Sequence, residues 1–145
     1  MRLLLQKVSK ARVIVDKETI GSIQDGYVLF LGVLHGDTAA QADWLADKVL
    51  SLRLYATEEG DNKQTILEHG GSILLVSQFT LAAQTDRGTK PDYGYAAPGP
   101  VAEPLYLHFA EALRSRGILV ETGRFGAFMS VELTNEGPYT LWLDR

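Results

Sequence analysis

Apolar and polar positions first alternate with the short period of strands. Residues 3–8, 11–15 and 19–23 are rich in branched side chains and separated by short polar turns, which predicts strands there. In Lys10-Ala11-Arg12-Val13 and Val15-Asp16 charge falls on one face and apolar side chains on the other, with Ile14 as the exception. After Gly26 the nearly continuous apolar run 27–34 fits a strand buried on both faces. The period then lengthens. Thr38 and Gln41 make a capping box, and Ala42, Leu45, Val49 and Leu52 follow at helical spacing. A polar, glycine-containing stretch, 58–71, separates this helix from an apolar strand at 72–76. A second helix is expected from Pro104, with Leu105, Phe109, Ala112 and Leu113 on one side, Arg114 and Arg116 in its last turn and Gly117 as its stop. Two more strands are expected at 127–133 and 139–143, joined by Thr134-Asn135-Glu136-Gly137-Pro138. The sum is a mixed α/β fold: two main helices on one sheet, mostly hairpin-type connections, and a single domain over 1–145.

Composition narrows the function classes. At 145 residues, 46% of them hydrophobic, the chain can bury a core without staples. It has no cysteine, which excludes disulfides, a thiolate nucleophile and Cys-type zinc sites. The opening Met1-Arg2-Leu3-Leu4-Leu5 is too short an apolar run for a secretory core of about 7–15 residues or a span of about 20, so a cytoplasmic protein without a membrane partner is expected. A net charge of −4 argues against nucleic-acid binding by bulk charge. Residues 1–17 are nonetheless locally positive, with Arg2, Lys7, Lys10, Arg12 and Lys17 against Asp16; a solvated strand face and a phosphate-contacting patch both account for this. The histidines, His35, His69 and His108, share no metal-ligand spacing, so no metal and no cofactor is expected. The signatures of a serine-hydrolase elbow, a P-loop and a dinucleotide loop are missing.

Two segments place polar groups where packing alone would not. Ser77-Gln78-Phe79-Thr80 follows directly on an apolar strand and delivers hydroxyls, an amide and free backbone N–H groups to its C-terminal edge. A strand end with satisfied polar caps is the plainer account. Asn135-Glu136-Gly137-Pro138-Tyr139-Thr140 reads equally as a hairpin turn or as the site of a cis Gly-Pro bond.

Together the two segments resemble the signature motifs of the D-aminoacyl-tRNA deacylase (D-tyrosyl-tRNA(Tyr) deacylase) family, Ser-Gln-Phe-Thr and Asn-x-Gly-Pro-x-Thr. The likeness continues in Leu4-x-Gln6-Lys7-Val8, Gly32-Val33, Gly70-Gly71-Ser72, Arg87-Gly88 and Thr122-Gly123-Arg124-Phe125. It implies a barrel-like sheet with two helices packed on it, and a homodimer whose active sites are completed across the interface. In that picture Ser77, Gln78, Phe79 and Thr80 of one subunit form the catalytic edge, and Gly137 and Pro138, cis in this family, reach in from the other to reject L-amino acids. The implied substrate is the 3′-terminal adenosine of tRNA esterified to a D-amino acid; glycyl-tRNA, having no side chain to clash, is expected to be cleaved too. Phe125 and Met129 are expected on the pocket floor, and Lys7, Lys10, Arg12, Arg87 and Lys90 at phosphates. The chain departs from the family at Lys90-Pro91-Asp92-Tyr93, where Arg-Pro-x-Phe is usual, and at Asp61-Asn62-Lys63-Gln64, where Lys-Met-Asn is common. Two alternatives remain: a deacylase of relaxed chirality, and a non-catalytic module that binds aminoacyl-tRNA.

Overall fold

A computed structural model describes residues 1–145. The first strand, β1 (Arg2–Val15), is one long strand where two were expected. Asp16 and Lys17, both at positive φ (51° and 69°), turn it tightly into β2 (Glu18–Ile23), the geometry two-residue hairpins favour. Then come β3 (Gly26–Gly32) and α1 (Ala39–Ser51), opened by the expected Thr38–Gln41 box. The polar stretch is structured. β4 (Arg53–Thr57) leads into it, and it holds all of β5 (Gly60–Thr65) and a short α2 (Ile66–His69), capped by a second reciprocal box between Thr65 and Glu68. After β6 (Ser72–Ser77) a 3-10 turn, Phe79–Ala82, leads to α3 (Gly99–Ser115), β7 (Leu119–Thr122) and β8 (Ser130–Asp144).

Three helices are therefore present, and the last starts one turn and more before Pro104. Pro100 takes the first-turn place, while Pro104 lies inside the helix on an exposed face. The helix survives that proline because Ala102, Tyr106, Phe109 and Leu113 all bury against the core, and packing outweighs one lost backbone bond.

The sheet runs β2-β1-β3-β6-β7, with β8 along the other edge of β1. The pairings β1–β2, β1–β3 and β1–β8 are antiparallel, whereas β3–β6 and β6–β7 are parallel. Parallel neighbours require crossovers, so α1 and α3 bridge them and the expected hairpin-type connections hold only in part. The sheet curls into a nearly closed barrel. At its seam a Cβ on Gly21 of β2 would lie 2.9 Å from the Thr122 carbonyl of β7, so only a glycine lets the two backbones meet.

Alternation divides the core. Leu3, Leu5, Tyr27, Leu29, Ile73 and Leu75 face the helices. Val8, Val13, Val28, Leu74 and Val76 fill the inside of the curl, so β3 and β6 are buried on both faces, as a parallel pair requires. No helix is long and apolar enough to cross a membrane.

Three core tyrosines couple stability to alkaline pH. Burial pushes the Tyr106 hydroxyl up to about 12, and burial with the neighbouring Asp25 carboxylate pushes Tyr27 and Tyr55 well above the usual range. A raised phenol favours the neutral, folded form. The stabilisation is complete below the unfolded value near 10 and is lost as pH climbs through the folded one. For Tyr106 alone, stability should fall by about 1.4 kcal/mol between pH 8 and pH 11, with Tyr27 and Tyr55 adding in the same direction. Urea unfolding at the two pH values measures this; equal stabilities would refute it.

Candidate active site

Beyond its last apolar residue β6 ends at Ser77, and the chain tightens into the 3-10 turn rather than continuing as strand. The Gln78 N–H still donates to Leu31 of β3 at 2.8 Å, which fixes where the turn begins. Phe79 and Thr80 then hold the turn's first N–H groups, which helical geometry leaves without carbonyl partners, and no side chain caps them. Arg2, from the far end of the sequence, donates to the Leu81 carbonyl at 2.8 Å and ties down the other end of the turn. Sequence reasoning placed Arg2 only in a basic segment and missed this role.

The turn forms one wall of a cavity of about 660 Å³. Leu31 and Val33 continue that wall, Ala97, Ala102 and Tyr106 close the helix side, and Phe125, Phe128 and Met129 complete the enclosure. Ser77, Gln78, Phe79, Phe125 and Met129 therefore share one cavity, whereas Thr80, the next residue of the turn, is not on its lining. Tyr106 is the single titratable side chain on the lining, and its hydroxyl donates to the Leu75 carbonyl at 3.0 Å. With its acidity suppressed by burial, it stays a neutral donor at ordinary pH. The Gln78 amide donates to the Thr80 hydroxyl. The site thus offers backbone and amide donors around an apolar hollow, and no group poised to take a proton.

Gly137 and Pro138 lie elsewhere. Gln6 of β1 faces Thr140 and Val8 faces Asn135, so residues 136–139 are extruded from β8 opposite the single residue Lys7. The segment is a four-residue bulge in one strand, not a hairpin, because both flanks keep pairing with β1 in one direction. The Gly137–Pro138 bond is cis. Gln6 closes the neck: its amide donates to Asn135 at 3.0 Å and to Thr140 at 3.3 Å, and the Thr140 hydroxyl donates to Asn135 at 3.2 Å. Outside the neck, Glu136 pairs with Lys7 at 3.3 Å, and the Tyr139 hydroxyl bonds Asn62 of β5. The Lys7 ammonium also sits 4.5 Å over the Tyr55 ring. A Cβ built on Gly137 meets nothing within 4 Å. Along the register Lys7–Tyr27–Ile73, the loop is about 13 Å down the strands and roughly 14 Å across them from Ser77. Within one chain the two motifs do not meet.

The basic candidates divide as well. Lys7 is engaged by Glu136, and Arg12 by Glu132 at 2.7 Å. Lys10 is exposed, on a second groove of about 530 Å³ between β1, β2 and β8. Arg87 and Lys90 are exposed on the segment between the 3-10 turn and α3. The histidines are scattered: His69 pairs with Asp25 at 3.4 Å, His108 with Asp43 at 2.9 Å, and His35 is exposed.

Residues 4–144 match the family model described as D-Tyr-tRNA(Tyr) deacylase. A D-aminoacyl-tRNA deacylase of Thermomicrobium roseum is 51% identical over 99% of this chain and 94% of its own length. One of Exiguobacterium is 48% identical over 100% of this chain and 99% of its own. Among solved structures, a c-Myc DNA Unwinding Element Binding Protein superposes with a TM-score of 0.92 at 37% identity, covering 100% of this chain and 99% of its own. A probable eukaryotic D-amino acid tRNA deacylase shares the fold with a TM-score of 0.85 at 17% identity, covering 99% of this chain and 98% of its own.

Proposed function

This chain belongs to the D-Tyr-tRNA(Tyr) deacylase family, whose reaction is hydrolysis of the D-aminoacyl-tRNA ester, and we propose that the cavity beside Ser77, Gln78, Phe79 and Thr80 is where it does so. The observation that carries this reading is an apolar hollow edged at Ser77, Gln78 and Phe79 by hydrogen-bond donors, with no general base on its lining. Such a site suits an ester that is already activated.

The terminal adenosine enters the apolar part of the cavity against Phe125 and Met129. The ester carbonyl lies under the N–H groups of Phe79 and Thr80, and one well-placed donor of this kind is worth about 3 kcal/mol in the transition state. Water attacks the carbonyl carbon, the bond to the ribose 3′-oxygen breaks, and that oxygen takes up a proton through the neighbouring 2′-hydroxyl. The products are free tRNA and the amino acid. Gln78 holds the Thr80 hydroxyl by its amide, so Thr80 positions the substrate and has no partner to activate it as a nucleophile.

Chirality is judged by a second copy of the chain. In a homodimer the extruded loop of one subunit enters the cavity of the other, and the Gly137 and Pro138 carbonyls press against the substrate α-carbon. They leave room for hydrogen but not for an L side chain. Two features support the pairing: the loop tip points into open space, and β8 presents a long edge with no partner strand. Glycyl-tRNA passes the same filter. A tRNA substrate supports a cytoplasmic location.

Hydrolysis of matched D- and L-tyrosyl-tRNA tests the reading. The D-ester should be lost rapidly and the L-ester spared, and Thr80→Ala should keep D-ester hydrolysis within about tenfold, as expected for a positional hydroxyl. Loss of both esters would mean relaxed chirality. Binding without turnover would leave only a binding module. A Thr80→Ala chain that binds tRNA but is inert would make Thr80 the nucleophile.

A further inference from the structure

In the single chain the mouth of the cavity carries four exposed aromatic rings. Phe79 is 58% exposed, Tyr95 56% and Tyr93 38%, and Phe128 is fully exposed. The Tyr93 ring stands edge-on to Phe79 with centroids 5.2 Å apart, and Tyr95 directly precedes Ala96 and Ala97 of the cavity lining. The main chain that carries these rings is held in place. Asp92 and Gln84 exchange backbone bonds of 2.8 and 3.0 Å, and Gly94 donates to the Asp92 carboxylate at 2.9 Å. His35 donates to the Tyr95 carbonyl at 3.0 Å, and Ala97 to the Val33 carbonyl at 2.9 Å. A rigid backbone that keeps tyrosine rings in water beside a ligand cavity marks a binding surface. The same segment carries two exposed cations at its tip, Lys90 and Arg87, whose one ionic neighbour is Asp86 at 3.9 Å.

We propose that Tyr93 and Tyr95 form a stacking rim for the unpaired nucleotides that precede the terminal adenosine of the substrate, with Arg87 and Lys90 meeting their phosphates. The inference rests on the cavity being the terminal-adenosine site. A single-stranded 3′ end leaving that cavity must cross its rim, and each of its bases offers a flat face that any aromatic ring can stack on. Tyrosine suits the place because its hydroxyl stays solvated when no RNA is bound. The segment also contains the departure Lys90-Pro91-Asp92-Tyr93, which keeps an aromatic residue in the position where the family pattern has phenylalanine.

The test uses two non-hydrolysable ligands: adenosine with a D-tyrosyl group in amide linkage at its 3′ position, and the same group on a cytidylyl-cytidylyl-adenosine trinucleotide. Titration of the full-length protein should show tighter binding of the trinucleotide. Tyr95→Ala and Tyr93→Ala should each weaken the trinucleotide about tenfold, while changing nucleoside binding less than about twofold. Tyr95→Phe should restore trinucleotide binding, because stacking needs the ring and not the hydroxyl. Replacing Arg87 and Lys90 together by glutamine should flatten the salt dependence for the trinucleotide alone. Equal losses for both ligands would overturn the proposal, since the tyrosines would then act by supporting Phe79. Unchanged trinucleotide binding would overturn it too. So would a change of oligomeric state in Tyr95→Ala by light scattering, because the rings would then be contacts between copies. If the nucleoside fails to bind the unaltered protein, the reading of the cavity falls, and this inference with it.

Discussion

Gly26→Ala should cost at least about 4 kcal/mol of stability, enough to leave most of the protein insoluble or to lower its Tm by roughly 15 °C. Gly26 sits at the start of β3, buried between β1 and β6, in register with Val8 on one side and Ser72 on the other. A Cβ there would lie 1.8 Å from the Ser72 carbonyl oxygen and 2.8 Å from the backbone nitrogen and carbon of the same residue. All three are main-chain atoms, so no side-chain rotation relieves the clash and the parallel β3–β6 pair must separate. That pair holds the end of β6 against Leu31, so the turn bearing Phe79 and Thr80 should lose its place as well. Gly99→Ala is the control. Its Cβ would meet only Phe125, at 4.0 Å, at the start of α3, and thermal unfolding should shift little or slightly upward. A stable, soluble Gly26→Ala chain would show that this packing is looser than the geometry states.

What was legible in the sequence, and what was not, follows from which signals are local. The Thr38–Gln41 box and the apolar spacing of Ala42, Leu45 and Val49 report on a few neighbouring residues, and α1 forms where they predict. The run 27–34 predicts a doubly buried strand, and β3 is one. The β4–β5 hairpin escaped because β5 is exposed over most of its length, so no alternation marks it. The Thr65–Glu68 box that opens α2 was a readable signal overlooked within a polar stretch. Pro104 misled because a proline at a helix start and one tolerated on an exposed helix face look alike without knowledge of what the helix packs on. At the site, Ser77, Gln78, Phe79, Phe125 and Met129 were brought to one cavity by pairing that no local signal encodes, and only the family resemblance foretold it. The loop at residues 136–139 was ambiguous for the same reason. Asn, Gly and Pro mark a change of direction, but whether the chain turns back or bulges out depends on what it pairs with, and β1 lies more than a hundred residues away.

Trimming that loop should remove the chiral filter while keeping the strand. Because residues 136–139 stand opposite Lys7 alone, replacing all four by a single glycine leaves Asn135 facing Val8 and Thr140 facing Gln6, with the neck bonds to Gln6 intact. On the proposed mechanism the trimmed protein still hydrolyses D-tyrosyl-tRNA, because its cavity is untouched. Its hydrolysis of L-tyrosyl-tRNA should rise about 100-fold or more, equivalent to losing about 2.7 kcal/mol of discrimination. A second variant tells whose loop does the filtering. Phe79→Pro removes one oxyanion donor at the first position of a helical turn, where proline is tolerated, and should lower activity by about 100-fold or more while leaving its own loop intact. When trimmed chains are refolded with a large excess of Phe79→Pro chains, nearly every trimmed chain acquires a partner whose loop is whole. Its cavity then receives that loop, so L-ester hydrolysis should fall back while D-ester hydrolysis persists. A filter within one chain predicts the opposite: the added chains would leave L-ester hydrolysis unchanged, since no trimmed chain regains its own loop. The separation of the two motifs in the single chain, with open space around Gly137, favours the first result.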